Sequence, residues 1–525
     1  MPPTLTPSVE YGALAPISIL LFAGVLSTLL EAFLPRTARR VAQLTLVFAA
    51  LFAGFGYALY NSFFRAVMDP TQSGQLGGLR QLAASNSVAI DGPGLFLQCV
   101  ILSVAIVGAL LIAERRIDPQ GDAFAPRASA LPGSEDERQF TNQGWLQTEI
   151  WPLFLFAVGG MLLFPVSNDL LTMFVALEVL SLPLYLLASM ARRRRLLSQE
   201  AALKYFVLGA FSSAFFLFGA ALIYAATGSM TFGDIFTALG DSSHDGIVLT
   251  GIGLIAVGLL FKVGAAPFHQ WTPDTYQGAP TPLVAFMAAA TKVAAFGAFL
   301  RLFYVAFGTM RWDWRPMMWA MAILSMLLGS LLAVTQTDIK RMLAYSSVAH
   351  SGFLLMGVIA TTRSGVSSTL FYLLAYSFTT LGAFAIVSLV RDPSGEATHL
   401  SNWAGLGKKS PVVAGIFAFF LLSLAGIPLT SGFTAKFAVF GSAIDGGATA
   451  LVIVAVISSA IAAFFYARVI VLMFFSDAPE NDVAVVVPSA LTKISLAISF
   501  AVTLLLGVLP EQVIEVVAST GLFIR

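Results

Sequence analysis

The chain has 525 residues, of which 58% are hydrophobic and only 11% carry a formal charge. A soluble globular protein carries roughly 25% charged residues, so this chain lacks the polar surface that a water-soluble fold of its size needs. Its net charge of +1 offers nothing to nucleic acid. The single cysteine, Cys99, excludes an internal disulfide, a thiolate-held iron–sulfur cluster and a cysteine-based zinc site. No Gly-rich nucleotide loop precedes a soluble helix either. No cofactor, metal or redox group is therefore expected in this chain.

Apolar runs of about 20 residues, enough to cross a hydrocarbon core of roughly 30 Å, recur from end to end. They predict an all-α polytopic membrane protein of about fourteen transmembrane helices, near 12–33, 41–60, 94–113, 148–165, 168–190, 201–226, 248–275, 281–305, 315–335, 341–361, 367–390, 410–440, 449–475 and 490–509. The first run is expected to be a retained span, because it lacks the basic leader of a signal peptide and is too long for one. Two long loops, 61–93 and 114–147, separate the early helices. The second is rich in Pro, Gly and charge between Asp118 and Arg138, and is expected to be exposed and partly mobile. The tail from Pro510 to Phe523 alternates apolar and polar residues. It fits a helix lying on the membrane surface or a short cap on the bundle equally well.

The basic residues predict orientation. Loops after odd-numbered helices hold seventeen Lys and Arg, including Arg192 to Arg195, against six on the opposite face. The positive-inside rule then places the richer face in the cytoplasm and both termini outside, which an even helix count requires. Six basic residues remain within helices: Lys204, Lys262, Lys292, Arg301, Lys436 and Arg468. Arg301 and Arg468 stand near helix ends and are expected to snorkel to the interface. Lys262, Lys292 and Lys436 are deep, Lys204 is less so, and Glu178 is the one deep acid. Each deep charge costs roughly 2.5–3.5 kcal/mol on insertion scales. Static ion-pair glue explains them poorly, since one glutamate cannot neutralise several lysines. An amine denied water gives up its proton more readily, which suits a proton carrier.

Two helices are interrupted near mid-span. In LLFKVGAAPFHQWTPDTYQGAPTP, Lys262 precedes Gly264 and Pro267; in LLSLAGIPLTSGFTAKFAVF, Lys436 follows Gly426, Pro428 and Gly432. Proline kinks account for either break alone but poorly for both. Paired broken helices mark a transporter built from repeats, and the seventh and twelfth helices lie five apart. This predicts two inverted five-helix repeats, helices 4–8 and 9–13. The expected segments are 1–147 (three helices and two loops), 148–310 (first repeat), 311–475 (second repeat) and 476–525 (last helix and tail). His269 and His350, in APFHQW and YSSVAHSG, are candidate relay groups, because histidine titrates nearest physiological pH. A neutral hydrogen-bonded histidine is the alternative for each.

APFHQWTPDTYQGAPTP and TDIKRMLAYSSVAHSGFLL resemble the seventh- and tenth-helix signatures of the antiporter-like subunits of respiratory complex I, a family shared with multi-subunit sodium/proton antiporters and membrane-bound hydrogenases. The resemblance is strongest from about 148 to 475. Within that family WTPDTYQGAP and LEVLSLPLYLLA are similar to the subunit N branch, and Lys436 departs from the subunit M branch, which carries a glutamate there. The chain also ends before any lateral helix of the subunit L kind. The resemblance implies proton-transfer roles for Glu178 and Lys262 as an interacting pair, Lys292 as the central lysine and Lys436 as the terminal one. It implies that His350 links the halves and that Lys204 is accessory.

The implied activity is proton translocation through two linked half-channels, driven by quinone reduction in other subunits of an NADH-quinone oxidoreductase. The implied partners are further complex I membrane subunits, the lipid bilayer, protons and, only indirectly, quinone. The implied setting is a bacterial plasma membrane. The rival readings are a sodium/proton antiporter subunit, a non-pumping scaffold and a quinone-binding subunit.

Overall fold

A computed structural model describes residues 10–64, 80–119, 121–127, 130–131, 133–143, 148–240, 245–393, 395–478, 483–520 and 523–524. Of the six basic residues counted on the less basic face, Arg65 and Arg525 lie outside the described residues, as does His244, a loop histidine with no expected role. Helices occupy all of the expected apolar runs: α1 Tyr11–Phe33, α2 Arg36–Leu59, α3 Gly92–Ile112, α4 Ile150–Leu163, α5 Leu170–Ala188, α6 Arg195–Thr227 and α7a Asp245–Val263 with α7b Trp271–Gly278. There follow α8 Thr281–Arg301, α9 Arg311–Thr335, α10 Ile339–Ala360, α11 Arg363–Leu389, α12a Pro411–Ala425 with α12b Ser431–Asp445, α13 Thr449–Phe475, α14 Ala490–Val508 and the tail helix α15 Glu511–Thr520. Twelve helices among the described residues are long and apolar enough to cross a membrane; α4 and α12a are shorter apolar pieces. The protein is an all-α, multi-pass membrane protein. Helices α2 and α6 begin several residues before their apolar runs, at Arg36 and Arg195, because arginine continues a helix as readily as most apolar residues do.

Burial sorts the helices into a centre and a shell. Every residue of α8 is buried, and α10 and α11 are nearly so. About a third of α2 and α14 is buried within the molecule, which leaves most of their surface for lipid or partners. The three central helices carry Lys292, His350 and the tyrosines around them.

Both expected breaks are present. Gly264 (φ +70°) ends α7a, and Gly426 (φ +86°) ends α12a; only glycine adopts this left-handed backbone without strain. The carbonyls freed at the first break are taken up by side chains: Trp271 Nε1 donates to Phe261 O at 2.9 Å and Ser351 Oγ to Val263 O at 2.6 Å. Pro267 follows a cis peptide bond within the connection to α7b.

Three expectations are corrected, on the segment after α3, on Arg301 and on Arg468. The segment after α3 is docked in its described parts rather than free. Asp118 pairs with Arg193 and Arg391, Asp122 with Arg192 at 2.9 Å, and Glu137 with Arg195 at 2.8 Å. The arginine run that marks the basic face thus also clamps this loop. Arg301 does not snorkel. It is fully buried and grips Asp91, the N-cap of α3, through two nitrogens at 2.9 and 2.6 Å, because a buried guanidinium with a forked carboxylate partner satisfies its charge internally. Arg468 likewise bonds the carbonyls of Val334 and Gln336 at the end of α9. Short strands join the helices: Gln81–Ala83 pairs with Val88–Ile90, and Val390–Asp392 lies between Gly395–Glu396 and Ala484–Val485. The tail caps the bundle, with Val517 and Ala518 carbonyls accepting from Ser367 and Arg363.

Candidate functional site

Lys262 lies one residue from the end of α7a, in a pocket of hydroxyls and aromatic rings. Its Nζ is 2.8 Å from Ser181 Oγ on α5 and 3.3 Å from Tyr205 OH on α6. Tyr205 stacks on Trp271, the first residue of α7b, at 4.4 Å between ring centres. The broken helix therefore roofs its own lysine. Glu178 stands one turn before Ser181 on α5, where residues three apart share a face. Among the described residues no ion pair joins Glu178 to Lys262, and Glu178 Oε1 is buried without a hydrogen-bond partner. The two groups interact electrostatically, not by contact.

Lys292, on α8, donates to Ser347 O at 2.6 Å, Ser347 Oγ at 2.8 Å and Ser351 Oγ at 2.7 Å, all on α10. Ser351 is the same hydroxyl that holds the broken end of α7a, so one side chain touches both the central lysine and the residue after Lys262. The Lys292 ammonium also lies over the Tyr376 ring at 5.1 Å. That ring is 5.1 Å from the His350 ring, and His350 Nδ1 meets Tyr372 OH at 2.7 Å. On its other side His350 packs against Phe353 at 5.8 Å, and Lys436 lies 5.0 Å over the same Phe353 ring. Lys436 in turn caps α12a, donating to Leu424 O at 3.1 Å, Ala425 O at 2.8 Å and Ser459 Oγ at 2.9 Å. A cation at the C-terminal end of a half-helix meets the negative pole of its dipole. Four ionisable groups (Lys262, Lys292, His350 and Lys436) thus form one buried row: Ser351 ties Lys292 to the residue after Lys262, and Tyr376 and Phe353 are shared by the later members.

Residues 167–462 match a family model described as NADH:quinone oxidoreductase/Mrp antiporter, TM. NADH-quinone oxidoreductase subunit N of Rhodococcus opacus (strain B4) is 56% identical over 99% of this chain and 97% of its own length. The chain belongs to the NADH-quinone oxidoreductase subunit N family. A chain in the structure of respiratory complex I from Thermus thermophilus with bound aureothin is 31% identical, with a TM-score of 0.75 over 96% of this chain and 100% of that one. A chain of the Mrp complex from Dietzia sp. DQ12-45-1b shares the fold at 22% identity, with a TM-score of 0.76 over 97% of each chain.

The two accessory positions fare differently from the row in this subunit N family member. Lys204 sits outside it. Its side chain is half-exposed and paired with Glu200 at 2.8 Å and Asp274 at 2.9 Å, while Asp274 also binds Arg341. His269 lies buried in the connection between α7a and α7b, 6.2 Å from the Tyr345 ring, and its Nδ1 has no hydrogen-bond partner among the described residues. Pro428 lies between Gly426 and the start of α12b. Sequence reading missed the hydroxyls that hold the charges: Ser181, Ser347, Ser351 and Ser459, with Tyr205, Tyr372 and Tyr376. A signal existed, because these hydroxyls stand in apolar runs at helical spacing from one another or from the charges.

On the basic face, Glu114 is buried at the end of α3. Burial pushes its carboxyl up, but hydrogen bonds from Ser489, Thr492 and the backbone of Arg115 and Arg116 outweigh this and hold it below the usual range. Asp122 lies the other way, its carboxyl raised by burial despite the Arg192 guanidinium beside it.

Proposed function

We propose that this chain moves protons across a bacterial plasma membrane as one membrane subunit of an NADH-quinone oxidoreductase. The reading rests on family membership and on one observation: the deep lysines and His350 stand in a single buried row in which Ser351 joins Lys292 to the residue after Lys262, and Tyr376 and Phe353 are shared by the later members. Protons taken up from the basic, cytoplasmic face pass along this row and leave outside, where both termini lie. The segments 148–310 and 311–475 act as inverted halves, each contributing a broken helix and its lysine. Quinone reduction occurs in other subunits, and this chain supplies no redox group. Loss of the Glu178 field lowers the hold of Lys262 on its proton and pushes it toward Lys292.

The test is Lys262→Ala in the intact complex, reconstituted in proteoliposomes, with protons moved per NADH oxidised as the readout. The ratio is expected to fall; a wild-type ratio overturns the proposal. The family model, whose description also covers Mrp antiporters, supports a second reading, sodium/proton exchange driven by the gradient alone. Sodium-dependent proton flux without NADH would support that one.

A further inference from the structure

Helix α14 carries Thr492, Ser495, Ser499 and Thr503 at spacings of three, four and four, all fully buried. That spacing puts the four hydroxyls on one face of an apolar helix, over about 16 Å of rise. The lower end is anchored on the basic face, where Thr492 Oγ1 and Ser489 Oγ donate to Glu114 Oε2 at 2.8 and 2.6 Å. Glu114 lines a pocket there together with Asp118, Lys340, Ser388 and Arg391. The upper end opens on the break of α12. Thr503 Oγ1 lies 3.3 Å from Thr379 Oγ1 on α11, which is 3.4 Å from both Ser423 and Ser431. Those two serines flank the break, 3.2 Å apart. Leu424 and Ala425, the next residues after Ser423, supply the carbonyls that hold Lys436.

Hydroxyls in apolar helices commonly bond their own preceding turn, or act as glue between helices. Ser499 does neither: its Oγ is fully buried and has no partner among the described residues. A buried hydroxyl left so by the protein is satisfied by water, and it lies midway along the stripe. We infer that α14 carries a second proton-uptake route, running from the Glu114 pocket along Thr492, Ser495, Ser499 and Thr503 to the α12 break, where it serves Lys436. The row is then fed at its terminal lysine as well as through its first half.

This inference rests on the reading of the row given above, and the experiment separates the two. Ser499→Ala, Thr503→Val and their combination are compared with Lys436→Ala in the intact, reconstituted complex, measuring protons moved per NADH oxidised. The double variant is expected to lower the ratio by less than Lys436→Ala does, because the first-half feed remains, with no loss beyond that of Lys436→Ala when all three are combined, and Thr503→Ser is expected to restore it. Ser499→Ala removes no protein hydrogen bond, so it tests the route even if Thr503→Val impairs assembly. A wild-type ratio in Ser499→Ala and the double variant, alongside a lowered one in Lys436→Ala, overturns the α14 route alone. A wild-type ratio in Lys436→Ala overturns the reading of the row, and the route with it.

Discussion

Lys262 Nζ rests 2.8 Å from the hydroxyl of Ser181, one turn along α5 from Glu178. The hydroxyl, not the carboxylate, is the direct partner of the amine. A hydrogen bond to a charged group is worth about 1.5–3 kcal/mol. Ser181→Ala is therefore expected to slow proton translocation severalfold, less than Lys262→Ala, while Ser181→Thr keeps most of it. Proton uptake by reconstituted complex on NADH addition measures this.

His350 stands in the row between Lys292 and Lys436, held by its ring and by Nδ1. His350→Phe keeps a ring against Tyr376 and Phe353 but loses the 2.7 Å contact with Tyr372. The complex is expected to assemble normally and to move fewer protons per NADH, as read by pH-indicator dye in vesicles.

The Asp91–Arg301 pair is wholly buried and roofed by Phe523, with Ile524 N also donating to Asp91. Removing one partner of a buried pair costs about 3–5 kcal/mol, because the other charge is left uncompensated. Arg301→Met is expected to lower the melting temperature or prevent incorporation into the complex, and adding Asp91→Asn to recover part of the loss. Thermal scanning of the purified complex, with native gels for assembly, checks both.

Gly432 has no room for a side chain, since a Cβ there would fall 1.8 Å from Ser423 O. The obstacle is backbone at the broken end of α12a, which cannot swing aside. Gly432→Ala is expected to cost at least the roughly 1–3 kcal/mol of an overpacked core and to disturb Lys436. Gly441→Ala, on the same half-helix with open space beside it, is expected to be neutral by the same thermal assay.

Glu114 is held below the usual carboxylate range, so the docking it provides is complete above about pH 4.3, the ordinary glutamate value, and is lost as pH falls through its lowered one. Amide exchange at Ser489, whose N–H donates to Glu114 Oε2 at 3.0 Å, is expected to speed up in acid. In Glu114→Gln it is expected to be faster already at neutral pH and to lose that acid step.

The helices were legible because deep apolar runs admit few charges, so the runs and the exceptional lysines stand out together. Both breaks were legible because Gly264 and Gly426 are where an interrupted helix needs them. The partnership of Arg301 with Asp91 was not. Its partner lies 210 residues away, at the end of a long loop, and a terminal arginine looks the same whether it reaches for water or for a distant carboxylate. The same holds for the loop after α3, whose composition suggests mobility until the arginines opposite it are placed. The α14 stripe was written at helical spacing but hidden by the hydropathy of its neighbours.

Between His350 and Lys436 stands Phe353, the one shared neighbour in the row that has no exchangeable hydrogen. A benzene ring neither takes nor gives a proton, so a proton passing between His350 and Lys436 travels around it on water, while the Lys436 charge acts on His350 across it. These two neighbours in the row thus feel each other's charge across a step that no side-chain hydroxyl among the described residues bridges. In the proposed row this makes the step at Phe353 the one whose passage depends on hydration, so a water-filled or a dry gap beside that ring decides whether the terminal lysine is connected.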